Sequence, residues 1–379
     1  MLKLIYNSMK YCDKILWLII ILISSYSLLL VKSISRENFN YFTVQFLSVI
    51  IGIICACFLQ VLNYKILVKF SKIIGIISVF LILCTLFLGI KIEGSMGVNA
   101  RAWLALPGGI TFQPSELVKI GFIITFSYHV SEIKKNNNFK KFKDIIYLGI
   151  HALVPVVLTH LQGDDGAAII FFCIAFVILF LSGLPIKYFV LLVFLLILVV
   201  PVLWKFVLVD YQKKRILTQF NPESDPLNMG YQQIQSMLSI GSGGVLGQGI
   251  FNGPRVANNV VPVQESDFIF SVAGEELGFI GCSLILLLIL ILIFRISYIS
   301  KISQEITGTY ICFGFIGLIS MQSIFNLGMC LSLLPVMGVT LPFMSVGGSS
   351  VVCLFLGIGI IQNIYINRNQ IQKNTNFEL

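Results

Sequence analysis

The sequence predicts an all-α polytopic integral membrane protein of about ten transmembrane helices, and three observations carry that prediction. Hydrophobic residues make up 57% of the 379 and charged residues only 11%, with a mean hydropathy of +0.94, whereas soluble domains carry roughly 25% charged residues. The apolar residues fall in uninterrupted runs close to the ~20 residues that a hydrocarbon core requires. Lysine and arginine are divided unequally between the two sets of connections.

The first run, 15–31, follows Lys3, Lys10 and Lys14 and has no A-x-A-like cleavage site, so it reads as a retained span. Runs at 42–62 and 73–90 flank a connection holding Lys65, Lys69 and Lys72. The fourth, 115–130, starts at Pro114, Ser115 and Glu116, with proline at an early helical position and a carboxylate in the first turn. Runs at 145–160 and 167–183 are separated by "LQGDDGAA", whose Asp164 and Asp165 read as a solvated turn. After 186–208 comes a long segment, 209–266, and then runs at 268–294, 306–330 and 343–365. The whole chain, 1–379, reads as one membrane domain with 209–266 as a long loop inside it.

Sixteen of the 26 basic residues lie on the side of the N-terminus, and the short connections on the other side hold only Lys32, Arg36, Lys91 and Arg101. Short basic loops resist translocation, so both termini are expected in the cytoplasm and 209–266 outside. These flanks and anionic headgroups account for the net charge of +9, and membrane lipids rather than nucleic acid are the implied partner. Eight of nine cysteines lie inside apolar runs and read as packing residues. His129, His151 and His160 are dispersed, with no metal-ligand spacing, and no P-loop, GxGxxG or Ser/His/Asp grouping is visible.

Polar residues gather on the outer side in five stretches. In "EGSMGVNARAWLALPGGITFQPSELVK", 93–119, Glu116 and Lys119 are i,i+3 neighbours, either a structural ion pair or the lining of a polar cavity with Arg101 above it. The turn with Asp164 and Asp165 is the second. In the third, 209–266, "GYQQIQSMLSI" suits a short interfacial helix, and "GSGGVLGQG" could bring backbone N–H groups to an anion. The fourth, "VVPVQESDFIFSVAGEELGFIG", sets Glu265, Asp267, Glu275 and Glu276 at the mouth of an apolar run. In the fifth, "LPVMGVTLPFMSVGGSS", 334–350, prolines and glycines deny a continuous helix, and such backbone at membrane depth lines a cavity.

In this order, "FQPSELVK", "NPESDPL", "IGSGGVLGQG", "SDFIFSVAGEELGFIG" and "LPFMSVGGSS" resemble the signature set of the SEDS family, the shape, elongation, division and sporulation proteins. The resemblance spans nearly the whole chain. It implies a SEDS-type fold of ten transmembrane helices and a peptidoglycan glycosyltransferase that polymerises lipid II. It also implies a class B penicillin-binding protein as partner, alongside other proteins of the elongation or division complex. Met337 stands where division members usually carry lysine, and with "NPESDPL" and "LPFMS" this favours the elongation type over the division and sporulation types. The usual "QPDLG" is "QGDDG" here, "HTDF" is "ESDF" with Asp267 retained, and "SYGGSS" is "SVGGSS".

Chain growth with inversion at the anomeric carbon needs one general base and stabilisation of the departing undecaprenyl diphosphate. Asp267 is the candidate base by its place in the matching motif and its position at the outer surface. Arg101, Lys119 and Arg215 are candidates to meet the diphosphate, where a divalent cation, Mg²⁺ or Mn²⁺, is a further option. Gln113, Ser115, Glu116, Asp164, Gln235, Ser242, Gly243, Gly244 and Ser349 complete the candidate substrate-binding set. On a helix continuous from Asp267, Glu275 and Glu276 would point about 80° and 180° away and lie about 12 Å further along, so both read as structural, and Glu265 as solvated. A lipid II flippase is the rival class, but it should show matching interrupted halves and a site near the midplane. No repeat is present, and the polar stretches all lie outward. A non-catalytic scaffold would leave Asp267 and the long loop without a chemical role.

Overall fold

The computed structural model describes residues 8, 10–35, 40–93, 99–105, 111–206, 210, 213, 217–218, 222–227 and 230–369. In chain order these form α1 (Lys14–Ile34), α2 (Asn40–Val61), α3 (Tyr64–Lys69), α4 (Ser71–Leu88), β1 (Ile90–Glu93), β2 (Asn99–Ala105), β3 (Thr111–Phe112), α5 (Pro114–Asn137), α6 (Phe142–Leu161), α7 (Asp165–Leu181), α8 (Ile186–Phe206), α9 (Tyr231–Ser242), α10 (Pro254–Ala257), α11 (Ile269–Ile302), α12 (Ile306–Cys330) and α13 (Gly348–Ile366). Each of the ten apolar runs coincides with a helix. Eight of these are long and apolar enough to cross a membrane. The other two are α7, with 17 residues, and α5, which carries Glu116, Lys119, Glu132, Lys134 and Lys135.

Polarity sorts the helices. α5, α12 and α13 hold long lists of buried residues; α13 packs along α2 and α5, and α12 against α5, α7 and α11. α8, rich in Leu, Val and Ile, leaves nearly its whole surface to the surroundings. The small antiparallel sheet between α4 and α5 was not expected. β1 pairs with β2 (Ile90 opposite Trp103, Glu93 opposite Asn99) and β2 with β3 (Leu104 opposite Phe112). Its strands are 4, 7 and 2 residues long, too short for a clear period-2 signal, and they satisfy backbone groups that the connection would otherwise leave open.

On the side opposite the polar stretches, a polar latch joins the start of the fold to its end. Asp13 caps α1 by accepting from Leu16 N and takes a 2.7 Å hydrogen bond from Arg295 Nε of α11. Gln362 of α13 accepts from Asp13 N and donates to Asp13 O. Asn363 accepts from Tyr64 N and donates to Gln60 O, and Gln60 Oε1 accepts from Trp17 Nε1.

α11 is interrupted at Gly278 (φ 62°, ψ −157°). The carbonyls of Glu275 and Glu276 accept from Gln248 N and Gly249 N of the long loop, while Phe279 N and Ile280 N donate to the carbonyls of Gly244 and Val245. A loop backbone thus inserts into the helical ladder, which is the cause of the break.

Candidate functional site

The first half of the site is built at the start of α5. Pro114 opens the helix, and one turn on, Lys119 Nζ lies 2.8 Å from Glu116 Oε1 with the two side chains only 3% and 9% exposed. Gln113, the residue before the helix, reaches in two directions: its N–H meets Ser349 Oγ of α13 at 3.4 Å, and its Nε2 donates to Asp164 Oδ2 at 2.8 Å. Asp164 Oδ1 accepts from Ala167 N and so caps α7. Five residues from three separated stretches are therefore drawn together: Gln113, Glu116, Lys119, Asp164 and Ser349. Ser115 is buried in the same turn, and its Oγ has no hydrogen-bond partner among the described residues.

The turn before α7 is solvated at Asp165, whose side chain is 46% exposed, but not at Asp164. Asp164 is a cap bonded to Gln113, and Asp165 accepts from or is bridged to His160 Nδ1 at 2.6 Å. Desolvation pushes the Asp164 carboxyl up, opposed by the Ala167 N–H, Lys119 and Gln113, while Glu116 adds to the upward shift. Lys119 is thus shared electrostatically between two carboxylates.

The second half is the turn that ends at α11. Asp267 precedes the helix, which starts at Ile269, so the angular argument that separated it from Glu275 and Glu276 on one helix does not apply. Asp267 is half-buried; its N–H donates to Val263 O, its Oδ1 accepts from Ser266 Oγ at 3.1 Å, and its carbonyl accepts from Asn326 Nδ2 at 2.8 Å. Ser345 ties the turn to the irregular 334–347 segment by donating to Ser266 O and accepting from Leu341 N. Glu265 is half-buried rather than solvated, and its carbonyl accepts from Val346 N.

Residues 337–339 join the two halves. A Cβ on Gly166, two residues past Asp164, would sit 2.3 Å from Met337 O, and one on Gly338 would sit 3.7 Å from Asp267 Oδ2. Gly338 has φ 66°, which an L side chain rarely adopts. The segment therefore runs between the Asp164 turn and the Asp267 carboxylate.

The other candidates fall elsewhere. The Arg101 side chain is exposed on β2, where its backbone N–H donates to Gln162 O at 2.9 Å, placing it beside the Asp164 turn. Arg215 lies outside the described residues. Gln235 on α9 accepts from Arg255 Nη2. Ser242 Oγ donates to Ser239 O. Four N–H groups of the glycine stretch are spent inside the protein: Gly244 and Gly247 donate to Gly241 O and Gly243 O, and Gln248 and Gly249 to α11. Gly243 instead allows close packing, since a Cβ there would meet Gly274 O at 1.9 Å. Glu275 and Glu276 are fully buried; Glu275 Oε1 accepts from Arg255 N at 2.7 Å and so braces the loop, while Glu276 Oε1 accepts from Ser33 Oγ and ties α11 to α1. His129 and His151, distant in sequence, meet at 3.1 Å between α5 and α6. Among the described residues no three His, Cys, Asp or Glu side chains form a metal-holding group.

Sequence reasoning missed Asn326, Gly338 and Ser345. For Asn326 a signal existed, an amide side chain within the apolar run 306–330. For the other two, a role depends on contacts between distant segments.

These features define a class: a helical membrane protein in which carboxylates, an ammonium and amide groups gather beside the starts of α5, α7 and α11. The FtsW/RodA/SpoVE family, described as cell cycle protein, matches residues 8–370, and the chain belongs to it. The peptidoglycan glycosyltransferase MrdB of Escherichia coli strain K12 is 30% identical over 364 residues, 96% of this chain and 96% of that protein. Among solved structures, a chain from work on the structural coordination of polymerization and crosslinking by a peptidoglycan synthase complex superposes with a TM-score of 0.82 at 28% identity, covering 95% of this chain and 99% of that one. The rod shape determining protein RodA of Thermus thermophilus superposes with a TM-score of 0.71 at 25% identity, covering 95% and 98%.

Proposed function

We propose that this chain is a peptidoglycan glycosyltransferase of the elongation type, which joins lipid II units into β-1,4 glycan at the outer membrane surface and releases undecaprenyl diphosphate. The observation that carries the proposal is the Asp267 carboxylate, facing Gly338 across from the Gln113, Asp164 and Lys119 cluster. Asp267 takes the proton from the acceptor sugar's 4-hydroxyl as that oxygen displaces the diphosphate with inversion, a single step that needs one base. Lys119 keeps donors beyond the one spent on Glu116 and, with Arg101 at the rim, meets the diphosphate oxygens. The elongation branch is supported by Met337 and by the likeness to RodA. The likeness to a synthase complex that couples polymerization to crosslinking supports a class B penicillin-binding protein as partner.

A single membrane domain with 209–266 external and both termini cytoplasmic is part of the same proposal, supported by the charge count. A Mg²⁺ or Mn²⁺ ion asks for oxygen ligands in near-octahedral array. Here Asp164 is committed to Ala167 and Gln113, and Glu116 to Lys119, and among the described residues no three His, Cys, Asp or Glu side chains form a cation cage.

The test is polymerisation of lipid II by the purified protein, with and without its penicillin-binding partner. Asp267→Asn keeps the volume, removes the basicity and should lower the rate about 10²–10⁴-fold while the protein still inserts and binds its partner. Glycan synthesis near the normal rate by well-folded Asp267→Asn protein would refute the mechanism and favour a flippase.

A further inference from the structure

Asn326 lies one turn from the outer end of α12 and is fully buried. Its Nδ2 donates 2.8 Å hydrogen bonds to two carbonyls, Asp267 O and Val339 O. An amide NH₂ carries two protons, so both are spent. Neither acceptor belongs to a helix or a strand: one sits in the turn before α11, the other in the 334–347 connection. The weak Cys330 Sγ also approaches the Asp267 carbonyl, at 3.6 Å.

The two carbonyls flank the site. Asp267 O hangs from the same Cα as the carboxylate, so fixing the carbonyl fixes the direction from which that side chain leaves the backbone. Val339 follows Gly338, the residue whose missing Cβ leaves room in front of Asp267 Oδ2. Ser345 and Val346 tie the same segment to the carbonyls of Ser266 and Glu265, but Asn326 alone among these joins the residue that carries the carboxylate to the stretch of wall that the carboxylate faces. Packing alone does not explain the residue type, because leucine fills similar volume without desolvating an amide. Aspartate offers acceptors where two donors are needed, and serine supplies one donor at most.

We infer that Asn326 is a positioning residue for glycosyl transfer: by bridging Asp267 O and Val339 O it holds the Asp267 carboxylate at a fixed angle and distance from the 337–339 wall. This rests on the reading of Asp267 as general base. Losing either bond loosens Asp267 itself against residues 337–339 while Ser266 and Glu265 stay tied, and a displacement near 1 Å costs on the order of 10²-fold in rate. Substrate affinity, set by groups elsewhere in the mouth, changes little.

The experiment is a double-mutant cycle on the full chain, reading single-turnover rates and KM with lipid II. Asn326→Ser and Asn326→Asp should each lower kcat by roughly 10–100-fold with KM within about twofold. In an Asp267→Asn background the same changes should lower the residual rate by less than about threefold, because the group they position no longer acts as a base. An equal loss on both backgrounds, or a rise in KM with kcat unchanged, overturns the positioning role. Failure to recover either Asn326 variant as monodisperse protein makes the residue one of folding and also overturns it. A near-normal rate for Asp267→Asn alone overturns instead the reading of Asp267, and the inference falls with it.

Discussion

Removing either member of the buried pair at the start of α5 should harm the protein more than removing both, and the two single changes should differ. Lys119 and Glu116 are 2.8 Å apart and nearly inaccessible. At that distance and an effective dielectric of about 20, their attraction is roughly 6 kcal/mol, set against several kcal/mol of desolvation for each ion. The pair is therefore near break-even, whereas stripping one partner leaves an uncompensated charge at a cost of about 3–5 kcal/mol. Asp164 breaks the symmetry, since it feels both charges. Glu116→Gln leaves Lys119 with Asp164 for company; Lys119→Met leaves two carboxylates facing each other. The unfolding free energy in detergent should fall furthest for Lys119→Met, less for Glu116→Gln, and least for the double variant, which should lose less than either single change. Strict additivity, or Glu116→Gln as the worse single change, would refute the reasoning and give each residue an independent role.

Two further outcomes follow from the geometry. Gly278→Ala places a Cβ 2.4 Å from Gly247 N at a positive φ, so unfolding in detergent should come earlier by about 1–3 kcal/mol, and protease should cut 243–249 faster than in the parent. If 209–266 is external and the 137–141 turn cytoplasmic, a membrane-impermeant maleimide applied to intact cells should label Asn258→Cys and spare Asn138→Cys; the reverse pattern would invert the topology and the site with it.

The helices were legible because a membrane span writes itself as one uninterrupted apolar run: each of the ten runs coincides with a helix, and eight of these are long and apolar enough to cross a membrane. The Glu116 and Lys119 pair was legible for a similar reason, since i,i+3 spacing fixes proximity within one helix. What the sequence hid is contact between elements. Gly278 sits in a run that reads as continuous helix, and its break comes from residues 244–249 entering the ladder. Asp164 read as solvated because its partner, Gln113, precedes a different helix, 51 residues away in sequence. His129 and His151 looked dispersed because adjacent antiparallel helices, not spacing along one chain segment, bring them together. Asn326 was visible as a polar residue in an apolar span, yet its two acceptors are irregular carbonyls whose positions no periodicity encodes.

The latch between Asp13, Arg295 and Gln362 bears on the order in which the protein is made. Its members are separated by 282 and 349 residues, and a membrane protein leaves the ribosome N-terminus first. α1 is therefore made with a buried-to-be carboxylate whose guanidinium partner, 282 residues on, does not yet exist, and with a backbone N–H and carbonyl whose amide partner follows 349 residues later. The latch can close only once α13 has been made, so the seam between α1, α11 and α13 is sealed after all the intervening helices rather than helix by helix.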